Sequence, residues 1–195
     1  MTAEALQEAQ NDPKPPLTTS PLLREQHFGE AEGKEYRTVR EAGLTLQEHF
    51  AQGLYPLIRE RHLKFPGGES RNDVADRANQ AIDELLMPYV QHAFNMGLAE
   101  SHIAVVSHGR FIREITDALL RRDAWTSANS EIYRGVKHLQ NTGWARLVVA
   151  TTVRRKFSEI ALFDVLRCRT RIILRGNITC PSVSWTFIGL SISMI

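Results

Sequence analysis

The sequence predicts an α/β protein with three layers, in which a mostly parallel sheet carries helices on both faces. Residues 102–107 contain an apolar run, Ile-Ala-Val-Val, typical of a buried parallel strand, and residues 109–122 follow with apolar side chains at helical spacing. Residues 144–150, Trp-Ala-Arg-Leu-Val-Val-Ala, form a second strand pattern. Strand patterns separated by helical patterns are typical of the α/β class.

The first third of the chain predicts a helix, a connector and a loop in turn. Residues 2–10 place apolar side chains on one helical face, and residues 11–21 are a proline-rich connector that cannot be helical throughout. Residues 22–33 combine glycines with charged residues, which indicates a loop with a short helical turn. Residues 35–63 are predicted to be helical in part, with an interruption near Gly53 and Pro56.

A long helix is predicted to start after the Phe-Pro-Gly-Gly break at residues 65–68. Residues 70–73, Ser-Arg-Asn-Asp, match a capping box, in which the serine and aspartate side chains satisfy the first free N–H groups of a helix. Apolar residues then recur at helical spacing as far as Val90, and Pro88 is expected to bend the helix. The next element is the strand at residues 102–107.

His108 lies in the turn between that strand and the helix at residues 109–122. Open α/β sheets bind ligands at the carboxyl ends of their strands, and the free N–H groups at a helix start attract anions. A strand-end imidazole in this position indicates phosphate chemistry.

Residues 161–195 differ in composition from the rest of the chain. No acidic residue follows Asp164, while four arginines lie between residues 167 and 175. Residues 178–195 are rich in Ser, Thr and apolar residues without clear periodicity, so we expect an edge strand or a poorly ordered tail. A non-native ending stays open as an alternative. The predicted organisation is a partial domain over residues 1–160 and an atypical tail over residues 161–195.

Composition and charge favour an ordinary soluble protein. The chain is 43% hydrophobic and 24% charged, and its net charge of +2 is too small to indicate a nucleic-acid or membrane partner. Its two cysteines, Cys168 and Cys180, form neither a disulfide framework nor a metal-ligand spacing. The N-terminus shows no secretory signal pattern, so we expect a cytoplasmic protein. A homodimer stays open.

Three segments occur in an order and spacing that together are specific. Residues 23–33, Leu-Arg-Glu-Gln-His-Phe-Gly-Glu-Ala-Glu-Gly, fit L-x-E-x-x-x-G-x-x-E-G; residues 66–70 fit G-G-E-[ST] before a long helix; and residues 106–109 are Val-Ser-His-Gly. The chain thereby resembles the histidine phosphatase superfamily, in its phosphoglycerate mutase-like branch. The resemblance covers roughly residues 2–150.

Two other parts of the family pattern do not occur among the 195 residues. One is an Arg-His-Gly at the end of the first strand, whose histidine becomes phosphorylated in the family. The other is a Ser-x-Leu-x-Arg-Ala-x-Gln-Thr-Ala segment that supplies a phosphate-binding arginine. Residues 1–6 look like the helix that follows this arginine. The resemblance therefore implies an N-terminally truncated fold, and we expect the chain as written to be poorly stable and essentially inactive.

The reaction implied by the resemblance is phosphoryl transfer from a phosphomonoester to a histidine nitrogen and then to water. Glu25 would protonate the departing alkoxide and later accept a proton from water. His108 would donate to the transferring phosphoryl group. Without the resemblance, Glu25 would be interpreted as a solvated loop carboxylate, and the role of His108 would stay undecided.

Further candidates for contacts with the substrate are Arg24, Gly109, Arg110 and Asn141.

We expect Glu69 to order its loop or carry charge at a helix start, and Gly67 and Gly68 to allow the backbone geometry of this segment. No metal or organic cofactor is expected, because imidazole and guanidinium groups handle the phosphoryl group in this family.

The leading interpretation is a phosphatase that acts on a small phosphorylated metabolite. The stretch from Glu69 to His108 holds no obvious insert that would cage a substrate for back-transfer, which favours a phosphatase over a mutase. A phosphoglycerate mutase-type phosphotransferase is the first alternative. The second is a non-catalytic pseudoenzyme fragment that binds a phosphorylated ligand or a protein partner.

Overall fold

A computed structural model describes residues 2–35, 39–96, 100–122, 145–152, 167–173 and 189–194. The chain begins with helix α1 (Thr2–Glu8), followed by the proline-rich connector, which carries no helix or strand. The predicted loop then contains two short 3-10 turns, Pro21–Leu23 and Gly29–Ala31. The described residues therefore confirm the predicted connector and the loop with short helical turns.

Helix α2 (Leu46–Ala51) is the only α-helix in the described part of residues 35–63. A capping box starts it, since the Thr45 hydroxyl accepts from the Glu48 N–H and the Glu48 carboxylate accepts from the Thr45 N–H. The chain leaves this helix through Gly53, whose φ of 70° is the left-handed backbone that glycine adopts most readily. The predicted interruption near Gly53 is confirmed.

Helix α3 (Arg71–Ala81) starts where the sequence predicts. The Ser70 hydroxyl accepts from the Asp73 N–H at 3.1 Å, and the Asp73 carboxylate accepts from the Ser70 N–H at 2.9 Å. A π-helical turn, Ile82–Leu86, joins α3 to helix α4 (Met87–Asn95). The turn ends two residues before Pro88, which has no N–H to donate and whose ring crowds the preceding turn.

Strand β1 (Glu100–Val105) and helix α5 (Gly109–Arg122) form the unit that positions His108. Helix α5 buries the apolar face that its spacing predicts, with Phe111 and Ile115 fully enclosed. This face packs against α3, where the small side chains of Ala78 and Ala81 allow close approach. The core therefore lies between the two helices that flank the candidate site.

The remaining strands are β2 (Ala145–Thr152), β3 (Arg167–Ile173) and β4 (Gly189–Met194). With β1 they form one sheet in the order β1-β4-β2-β3. Strand β4 pairs with β1 in parallel, with Ile192 opposite Ile103, whereas β2 pairs with β4 and with β3 in antiparallel orientation. The architecture is α/β.

The prediction of a mostly parallel sheet is wrong for the described strands, since two of their three pairings are antiparallel. The reason lies in the segment predicted to be an atypical tail. Residues 167–173 return alongside β2 as an edge strand, and residues 189–194 insert between β1 and β2. The edge strand predicted within residues 178–195 is therefore wrong, since the strand described there is the inner strand β4 and the edge strand β3 precedes that range.

Candidate functional site: the rim between strand β1 and helix α5

The rim of the site is the turn that joins β1 to α5. His108 is exposed there, and its carbonyl oxygen accepts the Ile112 N–H at 2.8 Å, which makes His108 the last residue before the helix. The Ser107 hydroxyl donates to the Leu23 carbonyl oxygen at 2.5 Å. This bond fixes the loop that carries Glu25 against the turn that carries His108.

The Glu25 carboxylate lies at the start of α5. Its Oε1 accepts from the N–H groups of Gln26 (2.9 Å) and Phe111 (3.3 Å), and its Oε2 accepts from the Arg110 N–H (3.3 Å). A carboxylate is stabilised there by unpaired N–H groups and by the positive end of the helix dipole. The carboxylate therefore binds the two residues that follow His108-Gly109, so both predicted catalytic residues lie at one rim.

Glu69 orders the loop that carries Glu25, as the sequence predicts. Its side chain accepts from the guanidinium groups of Arg24 (2.5 and 2.8 Å) and Arg77 (3.1 and 3.1 Å) and from the His27 N–H (2.9 Å). Burial alone raises the pKa of Glu69, but these hydrogen bonds outweigh it and lower the pKa from 4.5 to about 2. Glu69 is thus a fixed anion at neutral pH.

Arg77 is a residue of this site that the sequence analysis missed. Besides Glu69, it donates to the carbonyl oxygens of Leu22 (2.7 Å) and Arg24 (2.9 Å), and its guanidinium lies 4.9 Å from the centre of the Phe111 ring. At the level of sequence it is one charged position in a helical pattern, which is typical of a solvated face. Only the packing of α3 against the loop identifies it.

The glycines of the second motif allow two backbone segments to touch. The Glu69 N–H donates to the His27 carbonyl oxygen at 2.8 Å, and the Glu30 N–H donates to the Pro66 carbonyl oxygen at 3.0 Å. A Cβ atom at Gly68 would lie 2.9 Å from the His27 carbonyl oxygen, and Gly67 has a φ of 68°. The geometric role predicted for these two glycines is confirmed.

The four residues predicted to contact substrate lie in different settings. Arg24 points its guanidinium at Glu69, while Gly109 is exposed at the first turn of α5. Arg110 donates to the Gln26 side-chain oxygen at 3.0 Å and lies 5.1 Å from the centre of the Phe28 ring. Asn141 lies outside the described residues.

A cavity of about 300 Å³ opens beside the rim. Arg110, Gln26 and Glu69 belong both to its lining and to the contacts around Glu25. Its opposite wall comes from residues 55–65. The site therefore consists of a polar rim and an adjoining cavity.

The described residues contain no group of three or more His, Cys, Asp or Glu side chains placed to hold a metal ion. None of their helices combines the length and the hydropathy needed to cross a bilayer.

Comparison with known proteins identifies the family. A family model of the histidine phosphatase superfamily (branch 1) matches residues 1–152, which is more than three quarters of the chain. Comparisons with curated proteins and with solved structures gave no significant match. The matched range includes all three motifs and the whole rim that holds Glu25 and His108. The chain belongs to the histidine phosphatase superfamily, whose members perform phosphatase or mutase chemistry.

Proposed function

We propose that the chain carries the acid–base part of a phosphatase that hydrolyses a small phosphorylated metabolite through a phosphohistidine intermediate. The observation that supports this most is the Glu25 carboxylate, bound by the Arg110 and Phe111 N–H groups that follow His108-Gly109. A proton donor and an imidazole at one anion-binding rim are two of the groups that phosphomonoester cleavage through a phosphohistidine uses.

In this proposal, His108 and Glu25 act on the oxygen atoms whose negative charge grows in the transition state. His108 donates to the oxygens of the transferring phosphoryl group, whose charge grows as the ester bond lengthens. Glu25 gives its proton to the leaving oxygen and then takes one from the attacking water. Glu69 and Arg77 act through Glu25, because they hold the backbone of its loop.

We further propose that the 195-residue chain does not turn over substrate by itself. The Arg-His-Gly that carries the phosphorylated histidine in this family does not occur among these residues. His27 belongs to the Glu25 loop, where its Nδ1 lies 3.2 Å from the Gly67 carbonyl oxygen, and not to a strand end, so we do not assign it the role of the nucleophile. Losing one member of a catalytic unit removes most of its rate enhancement.

The first experiment uses the chain as it is. We expect no hydrolysis of p-nitrophenyl phosphate, together with measurable binding of inorganic phosphate by titration calorimetry. His108→Ala should abolish phosphate binding, whereas His92→Ala, a matched change at an exposed histidine of α4, should not alter it. Hydrolysis that His108→Ala abolishes would overturn the proposed inactivity. Unchanged phosphate binding in His108→Ala would overturn the role of His108.

The second experiment tests the proton donor. An in-frame Arg-His-Gly in the genomic sequence upstream of Met1 would supply the nucleophile, and a protein extended to include it should hydrolyse phosphomonoesters. In that protein Glu25→Gln should slow substrates with poor leaving groups far more than p-nitrophenyl phosphate, because only a basic leaving oxygen needs the proton. Equal slowing of both classes would contradict the role of Glu25.

A further inference from the structure

The cavity beside the rim has a wall of aromatic rings. Phe65 lies at its centre, with the Phe28 ring 6.4 Å, the Tyr55 ring 5.9 Å and the Phe50 ring 5.7 Å away between centroids. Three of these rings, those of Phe28, Tyr55 and Phe65, face the cavity together with Leu57, Ile58 and Leu63. Tilted and edge-on contacts at these distances hold the rings in place, so the apolar wall is formed before any ligand arrives.

The charges around the cavity balance. Four carboxylates and four cationic side chains line it among the described residues: Glu32, Glu35, Glu60, Glu69, Lys34, Lys64, Arg71 and Arg110. Residues outside the lining compensate both signs, since Arg40 binds Glu60 at 2.6 Å while Asp73 accepts from Lys64 at 3.3 Å and Glu114 lies 3.8 Å from Arg71. A cavity without excess positive charge does not favour a second phosphate or a carboxylate on the substrate.

The cavity is also in the right place to hold the leaving group. The backbone N–H of Arg110 binds the Glu25 carboxylate, while the side chain of the same residue lines the cavity over the Phe28 ring. A phosphoryl group at His108 would therefore have its ester oxygen near Glu25 and the rest of the molecule beside Phe28.

From these three observations we infer that the substrate is a phosphomonoester whose leaving group is an uncharged, aromatic or similarly apolar body. This inference rests on the proposed function and specifies its substrate class. A volume of about 300 Å³ is at the lower end for ligand pockets and fits a small ring system. Sugar bisphosphates and phosphorylated acids carry a second anion, for which this cavity offers no excess of cationic side chains over carboxylates.

Three probes separate the contributions of cavity and rim. The first is 1-naphthyl phosphate, which engages both; the second is glycerol 3-phosphate, which engages the rim alone; and the third is 1-naphthol, which engages the cavity alone. Titration calorimetry on the 195-residue chain should give an affinity for 1-naphthyl phosphate at least about tenfold higher than for glycerol 3-phosphate. 1-Naphthol should compete with 1-naphthyl phosphate.

Variants assign the binding to the cavity. Phe28→Ala should weaken the binding of 1-naphthyl phosphate several-fold more than that of glycerol 3-phosphate, whereas Tyr89→Ala, a matched change at an exposed aromatic outside the cavity, should alter neither. Ala31→Leu fills the cavity without removing any wall group, so it should have the same effect as Phe28→Ala if that variant fails to fold.

The outcomes distinguish the two proposals. Equal affinity for the two esters, with no binding of 1-naphthol, would overturn the aromatic leaving group and leave phosphomonoester binding at the rim intact. Binding of 1-naphthol without binding of either ester would overturn the proposed function and with it this inference, although the cavity would remain an apolar binding site. Loss of 1-naphthyl phosphate binding in Tyr89→Ala would also contradict the assignment.

Discussion

Two arginines bind the same carboxylate, Glu69, but differ in exposure. The Arg77 side chain is 10% exposed and also holds two loop carbonyl oxygens, whereas the Arg24 side chain is 47% exposed. Breaking a shielded ion pair costs about 3 kcal/mol or more, while an exposed pair contributes about 1 kcal/mol or less. We therefore expect Arg77→Met to lower the free energy of unfolding in urea much more than Arg24→Met. Equal losses would contradict the central role of Arg77.

The ionisation of Glu69 should make stability depend on pH. Its pKa is lowered from 4.5 to about 2 in the folded chain, so its contribution is complete above pH 4.5 and is lost as the pH falls toward 2. The contribution is at most about 3 kcal/mol. We expect Glu69→Gln to be less stable than the parent at pH 7 and the difference to shrink below pH 4.5, measured by urea unfolding at each pH. A difference independent of pH would contradict this ionisation.

The site residues predicted from the sequence are those that belong to a recognisable motif. Residues whose partners lie in distant segments of the chain were not predicted. Glu25, Glu69 and His108 lie in three short motifs, and the structure brings all three motifs to one rim. Arg77 was missed because its partners Leu22, Arg24 and Glu69 belong to other segments. A local sequence pattern does not predict contacts between residues of distant segments.

The junction between the Glu25 loop and the 65–69 segment depends on one glycine more than on the others. Gly29 and Gly33 both have positive φ, of 58° and 69°. A Cβ atom at Gly29 would lie 2.0 Å from the Pro66 carbonyl oxygen, whereas nothing lies within 4 Å of one at Gly33. Both positions carry the backbone cost of about 1 kcal/mol for alanine in this region, but only Gly29 adds a backbone collision.

We therefore expect Gly29→Ala to reduce the thermal and urea stability of the chain well beyond Gly33→Ala. A Gly33→Ala loss of about 1 kcal/mol is the matched reference for left-handed backbone alone. Gly29→Ala should also weaken phosphate binding, since the collision displaces the loop that carries Glu25. Identical losses in the two variants would show that the two segments are not in close contact.

Helices were predicted better than strands for a local reason. The capping box at residues 70–73 predicts where α3 starts, and the apolar spacing of α5 predicts which face it buries. Both signals lie within a few turns of the helix they describe. The π-helical turn before Pro88 was expected only as a bend. A proline removes one hydrogen bond, but its neighbours decide whether the helix kinks or widens.

Sheet order depends on contacts far apart in the sequence, and this is where the prediction failed. Strand β1 was predicted from its own apolar run, but the sequence of residues 100–105 does not predict that they pair with residues 189–194. Residues 190–194, Leu-Ser-Ile-Ser-Met, do alternate between apolar and polar side chains, but so short an alternation does not show where in a sheet the strand lies. The prediction separated residues 161–195 from the domain on composition alone, whereas in the structure these residues supply two strands of its sheet.

Amide hydrogen exchange distinguishes an inserted β4 from a loosely attached tail. Strand β4 pairs on both sides, with β1 and with β2, whereas β3 pairs only with β2 among the described strands. We expect the amides of residues 190–193 to exchange at least about tenfold more slowly than the least protected amides of β3, because opening β4 breaks two ladders at once. Mass spectrometry of peptic fragments resolves the two segments. Exchange in β4 as fast as in an unstructured peptide would remove it from the sheet and leave β1 and β2 without the strand that joins them.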